Sequence, residues 1–251
     1  MAAGGGAAVR AADLTREQLD RIVFTTSAGV HGSALAEFAV FGVFAGAKDL
    51  PRLTFQKDHK SWSDRWTMRQ VSDMTVLVLG MGGIGDRCIE KFHALGAKVI
   101  VYNRSHHENP AVAQLFTEGH LAEAVAQADA IVMTLPGTER TRNLMSAEVL
   151  AHVKPGTILV NVGRGTVLDE SALIAALRDG RIAFAALDVF AVEPLPADSP
   201  LWTLPNVVIS PHTAALDRRE DERIAELFAK DATLLLDGKE PLNRVNTVEF
   251  Y

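Results

Sequence analysis

Three polar residues in the second half of the chain have types and settings that suit one reaction. Arg164 stands in Asn161-Val162-Gly163-Arg164-Gly165, between glycines that leave its backbone unobstructed. Glu193 follows Leu187-Asp188-Val189-Phe190 and precedes Pro194, and His212 lies in Ser210-Pro211-His212-Thr213. A guanidinium fork matches a carboxylate through two parallel hydrogen bonds. A histidine can protonate a forming alkoxide, and a carboxylate beside it stabilises the imidazolium. Arg164, His212 and Glu193 thus form a set able to reduce a 2-keto acid with a reduced nicotinamide. Singly, each has a plainer reading: Arg164 a surface charge, Glu193 a solvated loop residue, His212 a satisfied core histidine. Their recurrence at successive strand ends, where doubly wound sheets bind ligands, favours the site.

The elements that must position them form a regular alternation from Thr75 onward. Strand-like runs occur at Thr75–Leu79, Lys98–Tyr102, Ala130–Thr134, Thr157–Val160, Phe184–Val189 and Val207–Ile209. Helical runs lie between most of them, at Ile84–Leu95, Leu121–Gln127, Ser146–His152 and Glu170–Asp179, with a last helix over Asp217–Leu236. This predicts an α/β fold, a doubly wound, Rossmann-like parallel sheet with helices on both faces. Upstream, Thr15 with Gln18 predicts a capping box for a helix over Arg16–Arg21, and Ile22–Thr25 a brief strand. A long apolar helix is expected over Gly32–Leu50, stopped by Pro51, with more than one face covered. Asp58–Val71 reads as a loop or arm carrying Trp62 and Trp66, and Met1–Ala12, rich in Ala and Gly, as disordered.

The turn after the first of these strands, Gly80-Met81-Gly82-Gly83-Ile84-Gly85, fits the dinucleotide fingerprint between a strand and a helix. Gly80 permits the tight turn, Gly82 lets the backbone approach a pyrophosphate, and Gly85 allows close helix–strand packing. The next strand ends in Asn103-Arg104-Ser105, with no carboxylate before Glu108. An acid there would bind the ribose 2′-hydroxyl of NAD, whereas Arg accommodates the 2′-phosphate of NADP. Arg104 and Ser105 therefore point to NADP in preference to NAD. The adjacent His106 and His107 lack the i, i+4 spacing of a helical metal pair and read first as solvated loop, second as a phosphate contact.

A net charge of −6 over 251 residues argues against nucleic acid as a partner. No run is long and apolar enough to span a bilayer, and the N-terminus lacks the pattern of a secretory signal. The single cysteine, Cys88, excludes an intramolecular disulfide and reads as a small buried hydrophobe. A cytoplasmic protein is expected, with no metal site, since no His/Cys cluster has ligand spacing. Trp202 could shape a pocket, although a packed surface loop is the simpler reading.

The ordered motifs from about Thr25 to the C-terminus resemble the D-isomer-specific 2-hydroxyacid dehydrogenases. They are Gly29-Val30-His31 with Ala36-Glu37, the turn Gly80–Gly85, Leu135-Pro136 with Thr138 and Thr141, Asn161–Gly165, Leu187–Phe190 with Glu193-Pro194-Leu195, and Ser210–Ala214. The resemblance implies an oxidoreductase that makes D-2-hydroxy acids from small 2-keto acids such as glyoxylate or hydroxypyruvate. It makes His212 the acid/base, Glu193 its partner and Arg164 the ligand of the substrate carboxylate and keto oxygen. It places the cofactor against Gly80, Gly82, Gly83, Ile84, Gly85, Leu135, Pro136, Thr141, Val162, Gly163, Asp188 and Ala214, with Asp188 holding the nicotinamide amide. It also implies a homodimer built on the long helix and its arm. The expected organisation is a remnant of a substrate domain over 1–30, a dinucleotide-binding domain over 31–240 and a return segment over 241–251. Such relatives carry a substrate domain ahead of the cofactor domain, and little of one precedes Gly32. A truncation, a misplaced start or a real short form would each explain this. The alternative expectation is a catalytically impaired, cofactor-binding dimeric fragment or interaction protein of the same fold.

Overall fold

The computed structural model describes residues 6–62, 65–105 and 108–248. Helix α1 (Gly6–Ala11) lies where the sequence reading expects disorder. Its Val9 is buried with Leu19 and Val245, a long-range apolar contact that local composition does not reveal. Met1–Gly5, part of the same expectation, lie outside the described residues. Helix α2 (Arg16–Arg21) carries the anticipated capping box, with Thr15 accepting from Gln18 N–H and the Gln18 side chain accepting from Thr15 N–H. The expected strand over Ile22–Thr25 reduces to one antiparallel bridge, Thr25 to Arg244.

The long helix is shorter than expected. Helix α3 (Gly32–Ala47) stops before Pro51, and Pro51 opens a second helix, α4 (Leu50–Asp58). Asp49 adopts a left-handed conformation, φ 56°, and its carboxylate caps α4 at Arg52 N–H. Proline suits the first turn of a helix because its fixed φ fits and its missing N–H would have no partner there. Leu35, Ala36, Ala39 and Val43 of α3 are buried, while Phe41 is exposed. The expected arm therefore begins after α4. Ser63 and Asp64 within it, and the His106–His107 pair, lie outside the described residues.

From Thr75 the chain alternates as predicted: β1 (Thr75–Leu79), α5 (Gly83–Ala94), β2 (Lys98–Tyr102), β3 (Gln114–Phe116), α6 (Leu121–Gln127), β4 (Ala130–Met133), α7 (Ala147–Leu150), β5 (Thr157–Asn161), α8 (Glu170–Arg178), β6 (Ile182–Leu187) and β7 (Val207–Ile209). The strands form one parallel sheet in the order β3-β2-β1-β4-β5-β6-β7. This is the doubly wound arrangement, which places a ligand crevice at the carboxyl ends of the strands where the order reverses, between β1 and β4. β3 is the strand that the sequence reading missed. It is three residues long at the sheet edge and begins with an exposed Gln, so it shows neither alternation nor an apolar run. The inner strands are buried along nearly their whole length, as a sheet covered on both faces requires.

The chain divides into two compact units. Leu35–Ala214 form one, with the whole sheet. The described residues of Met1–Ala34 and Ala215–Tyr251 form the other, which includes the last helix, α9 (Glu220–Leu236). In that second unit Val245 N–H donates to Phe24 O at 2.8 Å, and His31 Nε2 meets Glu220 Oε1 at 2.9 Å. Among the described residues no helix is long and apolar enough to cross a membrane.

Candidate active site

The glycine turn has the geometry that its residue types call for. Gly80 sits at φ 103°, in the region that favours glycine. A Cβ on Gly85 would lie 2.0 Å from Gly80 O, so any side chain there would push α5 off the turn. A Cβ on Gly82 would meet nothing within 4 Å; it faces open space at the start of α5. Thr134, at the end of β4, secures the turn by donating from Oγ1 to Leu79 O at 2.8 Å. The sequence reading missed Thr134, which lies outside the fingerprint.

Arg164 is placed by the turn that ends β5. The buried Asn161 accepts from Gly163 N–H at 3.1 Å and donates to Arg164 O at 3.2 Å, which closes the loop. A Cβ on Gly165 would lie 1.8 Å from the Phe190 carbonyl carbon, so this turn presses directly on the segment after β6. Gly163 also packs on Leu135, where a Cβ would meet Leu135 O at 2.6 Å. That contact brings Val162-Gly163 beside Leu135-Pro136, and Thr141 Oγ1 fixes the latter loop by donating to Pro136 O at 2.6 Å. The Arg164 side chain is exposed, and its Nη1 donates to Gly163 O at 2.7 Å.

Glu193 and His212 form a pair. Glu193 Oε2 lies 2.8 Å from His212 Nδ1, and its Oε1 accepts from Phe190 N–H at 2.9 Å. Burial acts to raise the Glu193 carboxyl, but the bonds from His212 and Phe190 N–H, with Arg164 nearby, outweigh it and hold it below its ordinary value. His212 itself has φ 58°. A left-handed histidine is uncommon, and such conformations persist where the surroundings over-determine them. The over-determination comes from Asp188, which is fully buried. Its Oδ1 accepts from Ser210 Oγ at 2.5 Å, Thr213 N–H at 2.9 Å and Ala214 N–H at 3.0 Å, so it grips the chain on both sides of His212. Asp188 Oδ2 is buried and has no hydrogen-bond partner. Ser210 appears in the motif, but its role becomes visible only with this geometry.

Arg164, Glu193 and His212 line one cleft of about 280 Å³. The Glu193–His212 pair also borders an apolar cavity of about 420 Å³ walled by Leu195, Trp202, Ile209 and Pro211. Trp202 thus does both things considered for it: it lines this cavity, and its Nε1 ties down its own loop at Pro196 O, 2.9 Å. Arg104 and Ser105 are exposed in the bend after β2. The sequence-predicted residues of the glycine turn, the β2 end, the β4 and β5 loops and the segments after β6 and β7 therefore all lie along the carboxyl edge of one sheet. A cation, a paired histidine and a dinucleotide-shaped turn on that edge can support proton-coupled reduction of a carbonyl beside a carboxylate.

Comparison with known proteins agrees with this geometry. Residues 40–214 match the family described as D-isomer specific 2-hydroxyacid dehydrogenase, NAD binding domain. A glyoxylate reductase from Aeropyrum pernix is 36% identical over 238 residues, covering 90% of this chain and 70% of the relative. A glyoxylate/hydroxypyruvate reductase B from Yersinia pseudotuberculosis is 41% identical over 189 residues, covering 74% of this chain and 58% of the relative. Among solved structures, a D-isomer specific 2-hydroxyacid dehydrogenase from Xanthobacter autotrophicus Py2, in complex with NADPH and MES, superposes with TM-score 0.88 at 33% identity. That match covers 98% of this chain and 99% of the other. A probable 2-hydroxyacid dehydrogenase from Rhizobium etli, in complex with NADP, HEPES and tartaric acid, gives TM-score 0.81 at 26% identity, covering 88% and 70%. The chain belongs to the D-isomer specific 2-hydroxyacid dehydrogenases, the class of nicotinamide-dependent oxidoreductases that its fold and motifs define.

Proposed function

We propose that this chain reduces a small 2-keto acid to the D-2-hydroxy acid with NADPH. The observation that carries the proposal is the convergence of Arg164, Glu193 and His212 on one cleft, with buried Asp188 gripping the His212 segment. The site fits a dinucleotide on two counts. The open space at Gly82 lets a pyrophosphate reach the first N–H groups of α5. The orphaned Asp188 Oδ2 is an acceptor for a carboxamide N–H, since a buried carboxylate oxygen left without a donor is costly. When bound, the reduced nicotinamide supplies the hydride equivalent. Arg164 holds the substrate carboxylate, and His212, its Nδ1 fixed by Glu193, gives a proton from Nε2 to the carbonyl oxygen. Glu193 offsets the charge of the imidazolium before that proton leaves.

The names of the Aeropyrum and Yersinia relatives make glyoxylate and hydroxypyruvate the first substrates to try. Loss of NADPH absorbance with one of them is expected. Calorimetric NADPH binding without oxidation by any acid of a 2-keto acid panel would instead identify a dinucleotide-binding protein that does not turn over. The dinucleotide-binding domain expected over 31–240 is narrowed in this reading to the compact unit Leu35–Ala214, and a cytoplasmic setting belongs to the same proposal.

Arg104 and Ser105 support NADP as the preferred cofactor, as do the NADPH and NADP found with the Xanthobacter and Rhizobium proteins. An Arg–phosphate pair is charge-assisted and often bidentate. Arg104→Asp is expected to weaken NADPH binding by roughly 10- to 100-fold, with little effect on NADH, measured by titrating both. Equal NADH and NADPH affinity in the unaltered protein would overturn this choice.

A homodimer is the third part of the proposal. Phe41 on α3, Phe55 on α4 and Trp62 after it are 47%, 58% and 99% exposed. Large apolar side chains left exposed on consecutive elements support an interaction surface there. Light scattering is expected to give a dimer, and Phe55→Asp to shift it toward monomer. A monomeric unaltered protein at micromolar concentration counts against it.

A further inference from the structure

Asn103 takes the first position after β2, where a carboxylate would accept from the ribose 2′-hydroxyl of NAD. Its side chain is engaged at both ends. Oδ1 accepts from Met81 N–H in the glycine turn at 3.3 Å, and Nδ2 donates to Ser105 O at 2.9 Å. These partners fix the amide's orientation, because a backbone N–H only donates and a carbonyl only accepts. The main chain is held on either side: Gly80 N–H donates to Tyr102 O at 2.8 Å, and Asn103 N–H to Phe116 O at 3.0 Å. One half-buried side chain therefore ties the turn shaped for a pyrophosphate to the bend that carries Arg104 and Ser105.

We propose that Asn103 is the positioning residue that sets cofactor choice. It holds the Arg104–Ser105 bend at a fixed offset from the glycine turn, so that pyrophosphate and 2′-phosphate are met together. This rests on the NADP reading above. The neutral amide does two things that a carboxylate in its place cannot. It supplies the N–H that fastens Ser105 O, and it adds no negative charge beside a 2′-phosphate. Aspartate would keep the acceptor for Met81 N–H, lose the donor and repel the phosphate. The bend that carries Arg104 would then lose its bond to the Asn103 amide.

The test is calorimetry with NADPH and with NADH on the full chain and on Asn103→Ala, Asn103→Asp, Arg104→Ala and the Asn103→Ala/Arg104→Ala double variant. Loss of the strut is expected to weaken NADPH about tenfold in Asn103→Ala, with a much smaller change for NADH. Asn103→Asp is expected to reverse the order of the two affinities. Because Asn103 acts through the bend, removing it in the Arg104→Ala background is expected to cost NADPH little more. Retained NADH binding shows that each variant is folded, and the two Asn103 variants perturb the strut in different ways. An unchanged NADPH-to-NADH ratio in Asn103→Ala, or a full additional tenfold loss in the double variant, overturns the proposal and leaves the NADP reading standing. An unaltered protein that binds neither nucleotide overturns both.

Discussion

Replacing His212 by Ala is expected to lower kcat for 2-keto acid reduction by roughly 10²- to 10⁴-fold, the range that a positioned general acid supplies, while NADPH still binds. The two readouts separate because His212 meets the cleft, whereas the glycine turn and the β2 end lie on other strands of the same edge. Asp188 grips Ser210, Thr213 and Ala214 through their own O–H and N–H groups, so the segment keeps its anchors when the imidazole is removed. The pH dependence follows from Glu193. Its carboxyl is held below the ordinary value, so its charge and its bond to His212 are kept through neutral pH and lost only as pH falls through that lowered value. Glu193→Gln removes the charge at every pH and is expected to flatten this part of the acid limb as well as to slow turnover. A His212→Ala protein with kcat within a few-fold of the unaltered chain would sink the assignment.

The sequence made the sheet legible because parallel strands buried on both faces leave short apolar runs, and glycine-bounded turns mark where those runs end. Val76–Leu79 and Thr157–Val160 are buried without interruption, and both runs are readable as strands. β3 lacks such a signal, since an edge strand of three residues buries too little to leave one. The break between α3 and α4 is hidden in the sequence for a different reason. Pro51 ends a helix in one context and begins one in another, and Asp49 decides which by adopting a left-handed cap. Helix α1 depends on Val9 meeting Val245 from the other end of the chain, a contact that no local pattern encodes. The Glu193–His212 pair was legible in type and order, and the distance of 2.8 Å gives it geometry. The grip of Asp188 and the strut of Asn103 were not legible, because each depends on side chains meeting backbone from a neighbouring strand end.

Arg164→Ala is expected to lower kcat/KM for a 2-keto acid by roughly 30-fold to over 10³-fold, the loss that follows when one partner of a hydrogen-bonded charge pair is removed. The loss should appear in KM as well as kcat, because the carboxylate contact exists before the transition state and also orients the carbonyl toward His212. Arg164→Lys separates charge from shape. Lysine restores the positive charge but not the planar fork, so it is expected to recover part of KM and little of kcat. The side chain can be removed without disturbing its turn, since Asn161 holds the loop through the backbone of Gly163 and Arg164, and Gly165 packs through its own backbone on Phe190. NADPH affinity is therefore expected to stay near that of the unaltered chain, and it is the internal control. Steady-state kinetics on both variants, with a 2-keto acid and with the corresponding aldehyde that lacks the carboxylate, give the deciding comparison. If Arg164 binds the carboxylate, the aldehyde is a poor substrate for the unaltered chain and is affected little by either substitution. If the substitutions slow the acid and the aldehyde by the same factor, Arg164 acts on the carbonyl alone or on the fold, and the carboxylate must be held elsewhere.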